Sequence, residues 1–281
     1  MRTITLLFIS ALALSGCTVA PRPVTLATPN GTVFIDDGGQ GGVPILFVHG
    51  NGGNSQQWRA QLDTFRAHGH RAAAIDLPGF GKSAPAADGD YSLISMANAI
   101  ERATQSVKLN RFVIVGHSYA GAVVAQYAAT HPEKVAGVVY VDAAAASVPL
   151  TDQQKAQFNA ALRADKVAVV RSWFAPMLKP SSSSVRDRVF ASVESSSTDA
   201  FIGALSSLTS WQPATLINAY TGPRLAIVAA DLENPMSFDK LFPNVETVRI
   251  SGAGHWLMLD KPDEVNAAIM NFVERIPGRN Q

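Results

Sequence analysis

The sequence predicts an α/β fold in which a mostly parallel central sheet is covered on both faces by helices. Short β-branched runs alternate with longer helical stretches, and the loops between them are short. The runs are also apolar throughout instead of alternating with polar residues, as expected for strands buried on both faces. Turns holding Gly50, Gly79 and Gly116 follow strands, and the carboxyl ends of strands are where such sheets bind ligands.

The chain has 281 residues, which suits one large domain with an insertion. A formal net charge of +1 leaves no electrostatic footprint for nucleic acid, and 47% apolar residues give ample material for a core. Residues 1–17 differ from the rest. Arg2 precedes the apolar run Ile4 to Leu14, which is too short to span a bilayer but suits the core of a secretory signal. It ends in Leu14-Ser15-Gly16-Cys17, which resembles a bacterial lipobox; the resemblance implies lipidation of Cys17, the chain's single cysteine. Thr18 follows, so the sorting pattern of such lipoproteins implies attachment to the outer membrane facing the periplasm. Residues 18–30 contain three prolines and read as a tether.

From residue 31 the elements follow in order. Thr32 to Ile35 reads as part of an edge hairpin, leading through a glycine-rich turn into a central strand, Val43 to Val48. Trp58 to Arg66 has helical periodicity, and Arg71 to Ile75 is the next strand. It runs into Asp76-Leu77-Pro78-Gly79-Phe80-Gly81-Lys82-Ser83, where the aspartate suits a turn-forming role. Tyr91 to Lys108 supplies a helix. Phe112 to Val115 is a buried strand, and Ala122 to Thr130 a helix rich in alanine. Between these last two the chain reverses within a few residues, which forces Ser118 toward φ > 0 among small neighbours. The hydroxyl is thereby pushed off the sheet end, and the Tyr119 N–H points from the helix start toward whatever that hydroxyl attacks.

Gly116-His117-Ser118-Tyr119-Ala120 resembles the nucleophile elbow of the α/β-hydrolase family, G-x-S-x-G, with alanine at the last position and Gly121 one step later. The loop beginning at Asp76 is similar to that family's D-x-P-G-x-G-x-S string, and His49-Gly50 to its H-G segment. The resemblance covers nearly all of residues 31–142 and 223–281. It implies a serine nucleophile at Ser118 and an oxyanion hole formed by the backbone N–H groups of Asn51 and Tyr119. Residues 143–222, where periodic order lapses, would form an inserted helical cap, with Trp173, Phe174, Met177, Phe190, Phe201 and Trp211 available for its pocket or its own core.

A serine hydroxyl needs a base, and the base needs a carboxylate to orient it. His255, in the loop Ser251-Gly252-Ala253-Gly254-His255 after the last strand, fits the family's chain order of serine, acid, histidine. Asp231, after the strand Leu225 to Ala230, is the favoured acid, with Asp142 at the end of Val135 to Val141 and Glu233 as alternatives. No histidine spacing suggests a metal site, and no cofactor is implied. The expected activity is hydrolysis of carboxylic esters or lactones of small to medium size through an acyl-enzyme. Gly254-His255-Trp256 with Pro262-Asp263-Glu264-Val265-Asn266 is also similar to hydrolases of ring-cleavage diketones, whose elbow carries asparagine where His117 stands. A ligand-binding envelope protein without turnover is the non-enzymatic alternative.

Overall fold

A computed structural model of the chain describes residues 22–28, 31–143, 145–146, 150–209, 211–232, 234 and 236–277. The signal segment with Cys17 therefore lies outside the described residues, as does Glu233. The first elements are β1 (Arg22–Thr28), β2 (Gly31–Gly38), β3 (Ile45–Val48), α1 (Arg59–Ala67), β4 (Ala72–Asp76), α2 (Leu93–Ser106), β5 (Phe112–His117), α3 (Ala120–Thr130) and β6 (Val135–Val141). Four helices follow: α4 (Asp152–Phe174), α5 (Ser183–Ser195), α6 (Thr198–Leu208) and α7 (Pro213–Ala219). The chain then completes the sheet through β7 (Arg224–Ala229), α8 (Phe238–Leu241), β8 (Glu246–Ile250), α9 (Leu257–Asp260) and α10 (Pro262–Glu274).

The strands form one sheet in the order β1-β2-β4-β3-β5-β6-β7-β8. Pairing is parallel from β4 to β8 and antiparallel at β1–β2 and β2–β4. Two-residue periodicity divides each central strand between two cores. Leu46, Val48 and Ile114 face one side, packed with Met96, Ile100, Val123 and Tyr127 from α2 and α3. Ile45, Phe47, Val113 and Val115 face the other, packed with Leu62, Phe65, Ile269 and Phe272 from α1 and α10. Apolar runs without alternation are thus the signature of a sheet that meets water on neither face.

Two expectations are corrected. Residues 22–28 are not tether but an edge strand, with Arg22 opposite Asp37 and Thr28 opposite Gly31. Proline is tolerated at a sheet edge, and Val24 and Leu26 alternate inward onto the core, so this stretch gains more from pairing than from staying solvated. The hairpin partner of β2 is accordingly β1, while β2 pairs antiparallel with β4 and not with β3. Asp76 keeps its structural role: its carboxylate accepts the backbone N–H of Ser55 at 2.5 Å and of Lys82 at 2.8 Å. The serine clusters are helix caps, Ser182 accepting from the Val185 N–H and Ser197 from the Ala200 N–H.

Candidate active site

The strand β5 ends at His117, and α3 begins at Ala120, which leaves Ser118 and Tyr119 to make the reversal. Ser118 takes φ 53°, the left-handed conformation that its position demands. Its backbone N–H is held by the Val141 carbonyl at 3.1 Å, and its own carbonyl accepts from Gly121 at 2.9 Å. Gly116 is required here, since a Cβ would lie 2.7 Å from the Ala120 carbonyl oxygen. Ala120 in the family's last glycine position is wholly buried, so its methyl group fits without opening the turn.

The carboxylate partner of His255 is Asp142. Nδ1 of His255 lies 2.5 Å from Asp142 Oδ2. Asp142 follows β6 directly at φ 39°, a conformation that turns its side chain back over the sheet end. Its N–H donates to the Ile227 carbonyl at 2.7 Å, and its Oδ1 accepts from the Ala229 N–H at 3.2 Å. The favoured Asp231 is therefore corrected: its carboxylate accepts the Gly252 N–H at 2.5 Å and ties the loop after β7 to the loop after β8. Each of two neighbouring strands is followed within two residues by an aspartate, and the sequence alone does not reveal which carboxylate the following loop lets turn inward.

The strand β3 leads into the other wall. His49 Nε2 accepts the Leu77 N–H at 3.0 Å, which places the ring proton on Nδ1, where it donates to the Gly50 carbonyl at 2.8 Å. Gly53 N–H reaches the same oxygen at 3.0 Å. In a trans peptide the N–H opposes the C=O, so these two donors aim the Asn51 N–H the other way, out of the turn. The Asn51 side chain is occupied elsewhere, donating to the Phe201 carbonyl at 3.0 Å. Burial holds His49 below the ordinary histidine value, with the Asp76 charge opposing, and the neutral ring matches its role as one donor and one acceptor.

His117 lies between these walls. Burial, reinforced by the neighbouring His255 and His49, holds its imidazole well below the ordinary value, so it is neutral at pH 7. Its Nε2 donates to the His255 carbonyl at 2.9 Å, and Nδ1 faces Gly50. A Cβ on Gly50 would sit 2.7 Å from that Nδ1 and 3.1 Å from the Ser118 Cβ. Gly50→Ala is therefore expected to displace the Asn51 peptide and lower kcat by about 10²-fold, the scale of losing one oxyanion donor. Steady-state hydrolysis of p-nitrophenyl butyrate checks this.

Gly50, Asn51, Ser118, Tyr119, Asp142 and His255 all line one cavity of about 1140 Å³, large for a small-molecule site. Trp173, Phe174 and Met177 from the inserted segment form part of its wall. Phe190, Phe201 and Trp211 are instead buried in the cores beneath. Among the described residues no group of three or more histidine, cysteine or acidic side chains could hold a metal ion.

The model of the alpha/beta hydrolase fold family matches residues 43–262, more than half of the chain. The chain belongs to that family. Among sequences, the hydrolase is 26% identical over 252 residues to a pimeloyl-[acyl-carrier protein] methyl ester esterase of Yersinia pseudotuberculosis, across 84% of this chain and 95% of that one. Among solved structures it is similar to a thermophilic esterase from Thermogutta terrifontis, with a TM-score of 0.79 and 20% identity over 91% of this chain and 99% of that one. It also resembles an N-acyl homoserine lactonase, with a TM-score of 0.74 and 20% identity over 93% and 99% of the two chains. At these identities the two structural matches speak for the fold of the hydrolase.

Proposed function

We propose that the hydrolase cleaves carboxylic esters or lactones through an acyl-enzyme on Ser118. The observation that carries this reading is the His255 Nδ1 to Asp142 Oδ2 contact at the rim of a cavity that Ser118 also lines. Asp142 fixes the proton on Nδ1, leaving Nε2 free to take the Ser118 proton as Oγ attacks the carbonyl carbon. The Asn51 and Tyr119 N–H groups hold the oxyanion, the latter from the position that caps the start of α3. His255 then returns the proton to the leaving alkoxide, and water, activated by the same imidazole, releases the acid. A relative that cleaves a methyl ester and a structural neighbour that opens a lactone are in keeping with this substrate class.

The test is turnover of p-nitrophenyl esters from acetate to decanoate and of simple γ-lactones, with a fluorophosphonate probe for the nucleophile. Hydrolysis together with labelling at Ser118 is the expected result. Cleavage of a ring-cleavage diketone without ester turnover would favour the carbon–carbon reading, and neither turnover nor labelling would favour a binding protein.

The apolar run Ile4 to Leu14 and Cys17 further support a lipid-anchored protein of the bacterial outer membrane, facing the periplasm. Cys17→Ser is expected to move the protein from the membrane to the soluble fraction on cell fractionation. Persistence of the variant in washed membranes would remove the anchor at that residue.

A further inference from the structure

The main chain of His255 is held from three directions. Its N–H donates to the Met177 carbonyl at 3.0 Å, and its carbonyl accepts from His117 Nε2 at 2.9 Å. The preceding N–H, of Gly254, donates to Asp260 Oδ2 at 2.8 Å, and that same oxygen accepts the Ser181 hydroxyl at 2.8 Å. Met177 and Ser181 belong to the connection between α4 and α5, so the inserted segment grips the histidine loop twice. Gly254 permits the approach, since a Cβ there would lie 2.4 Å from the Met177 carbonyl oxygen and 2.9 Å from Ser181 Oγ.

This connection is itself fixed. Leu178 is fully buried in the core on the α10 side of the sheet, the Phe174 and Trp256 rings lie 5.0 Å apart, and the Ser181 carbonyl accepts from Arg186 at 2.8 Å. The Asp142 contact holds one edge of the imidazole, and the ring packs against those of His117 and Trp256 at 4.7 and 5.0 Å, but none of these contacts fixes the main chain that carries the ring. Orientation of Nε2 toward Ser118 then depends on where the backbone of residues 254–255 stands, and displacements near 1 Å are costly to catalysis.

We infer that Ser181 and Asp260 are positioning residues for His255, and that through them the inserted helices set the alignment of the base. The inference rests on the serine-hydrolase reading. An inserted segment is usually regarded as a wall that selects substrates; here it also braces the proton-transfer group, which ties turnover to the seating of the turn between α4 and α5.

The experiment compares wild type, Ser181→Ala, Ser181→Thr, Asp260→Asn and the Ser181→Ala/Asp260→Asn double variant with p-nitrophenyl acetate, whose acyl group is too short to report on the outer cavity. Ser181→Ala is expected to lower kcat by about 5- to 10-fold with KM within about twofold, and Ser181→Thr to restore it. Because both residues act through one oxygen, the double variant is expected to be no worse than Asp260→Asn alone. The far-downfield NMR signal of the His255 Nδ1 proton is expected to broaden in Ser181→Ala and return in Ser181→Thr. Unchanged kcat, a loss confined to KM, or losses that multiply in the double variant would overturn the inference. Should Asp260→Asn not fold, the Ser181 pair decides it alone. A wild-type protein without ester turnover or labelling overturns the hydrolase reading, whereas an active wild type with an equally active Ser181→Ala overturns only the brace.

Discussion

Asp142→Asn is expected to lower kcat by about 10⁴-fold while leaving the melting temperature nearly unchanged. The reason lies in how the carboxylate is shared. Oδ1 accepts from the Ala229 N–H, so an asparagine would keep its oxygen there and turn its NH₂ toward His255. A donor facing Nδ1 forces the imidazole proton onto Nε2, the nitrogen that must accept the proton of Ser118. The side chain would be in place with the wrong tautomer opposite. Asp231→Asn is the matched control, because the asparagine oxygen can go on accepting the Gly252 N–H; kcat within about threefold of wild type is expected. Initial rates with p-nitrophenyl butyrate decide between them. An inactive Asp231→Asn beside an active Asp142→Asn would reverse the assignment.

Ser118→Ala is expected to cost about 10⁶-fold in kcat and to abolish fluorophosphonate labelling. Alanine carries the same Cβ through the same left-handed turn, so the strain at φ 53° and the hydrogen bonds to Val141 and Gly121 are retained. The loss is then chemical and not a matter of folding, and an unchanged thermal transition measured alongside the rates verifies it. Residual turnover within tenfold of wild type would place the nucleophile elsewhere.

Much of this site is legible in the residues because each part demands an unusual backbone. Ser118 needs small neighbours, and Gly116 sits where a methyl group would strike the Ala120 carbonyl. The paired histidines at 49 and 117 are less legible, since their meaning lies in the peptide planes they hold and not in any spacing. The acid is the instructive case. Asp142 and Asp231 stand in equivalent sequence contexts, one after β6 and one after β7, and what separates them is a positive φ at residue 142 together with two hydrogen bonds to residues more than eighty positions away. Long-range contacts of this kind leave no local trace. The edge strand was obscured differently: prolines at 21, 23 and 29 suggest a solvated linker, while the weaker alternation of Val24 and Leu26 is the signal that points to pairing.

That edge strand bears on how an anchored molecule would face its surroundings. Arg22 stands opposite Asp37, which stands opposite Ala73 near the start of β4, so the chain enters at the end of the sheet remote from Ser118. Six residues of β5 span about 20 Å, and β1 lies four places from β5. Five Cα steps separate Cys17 from Arg22, a reach of at most about 19 Å. Were Cys17 lipidated, as proposed above, the point of attachment would therefore lie within a short tether of the sheet end opposite the catalytic rim.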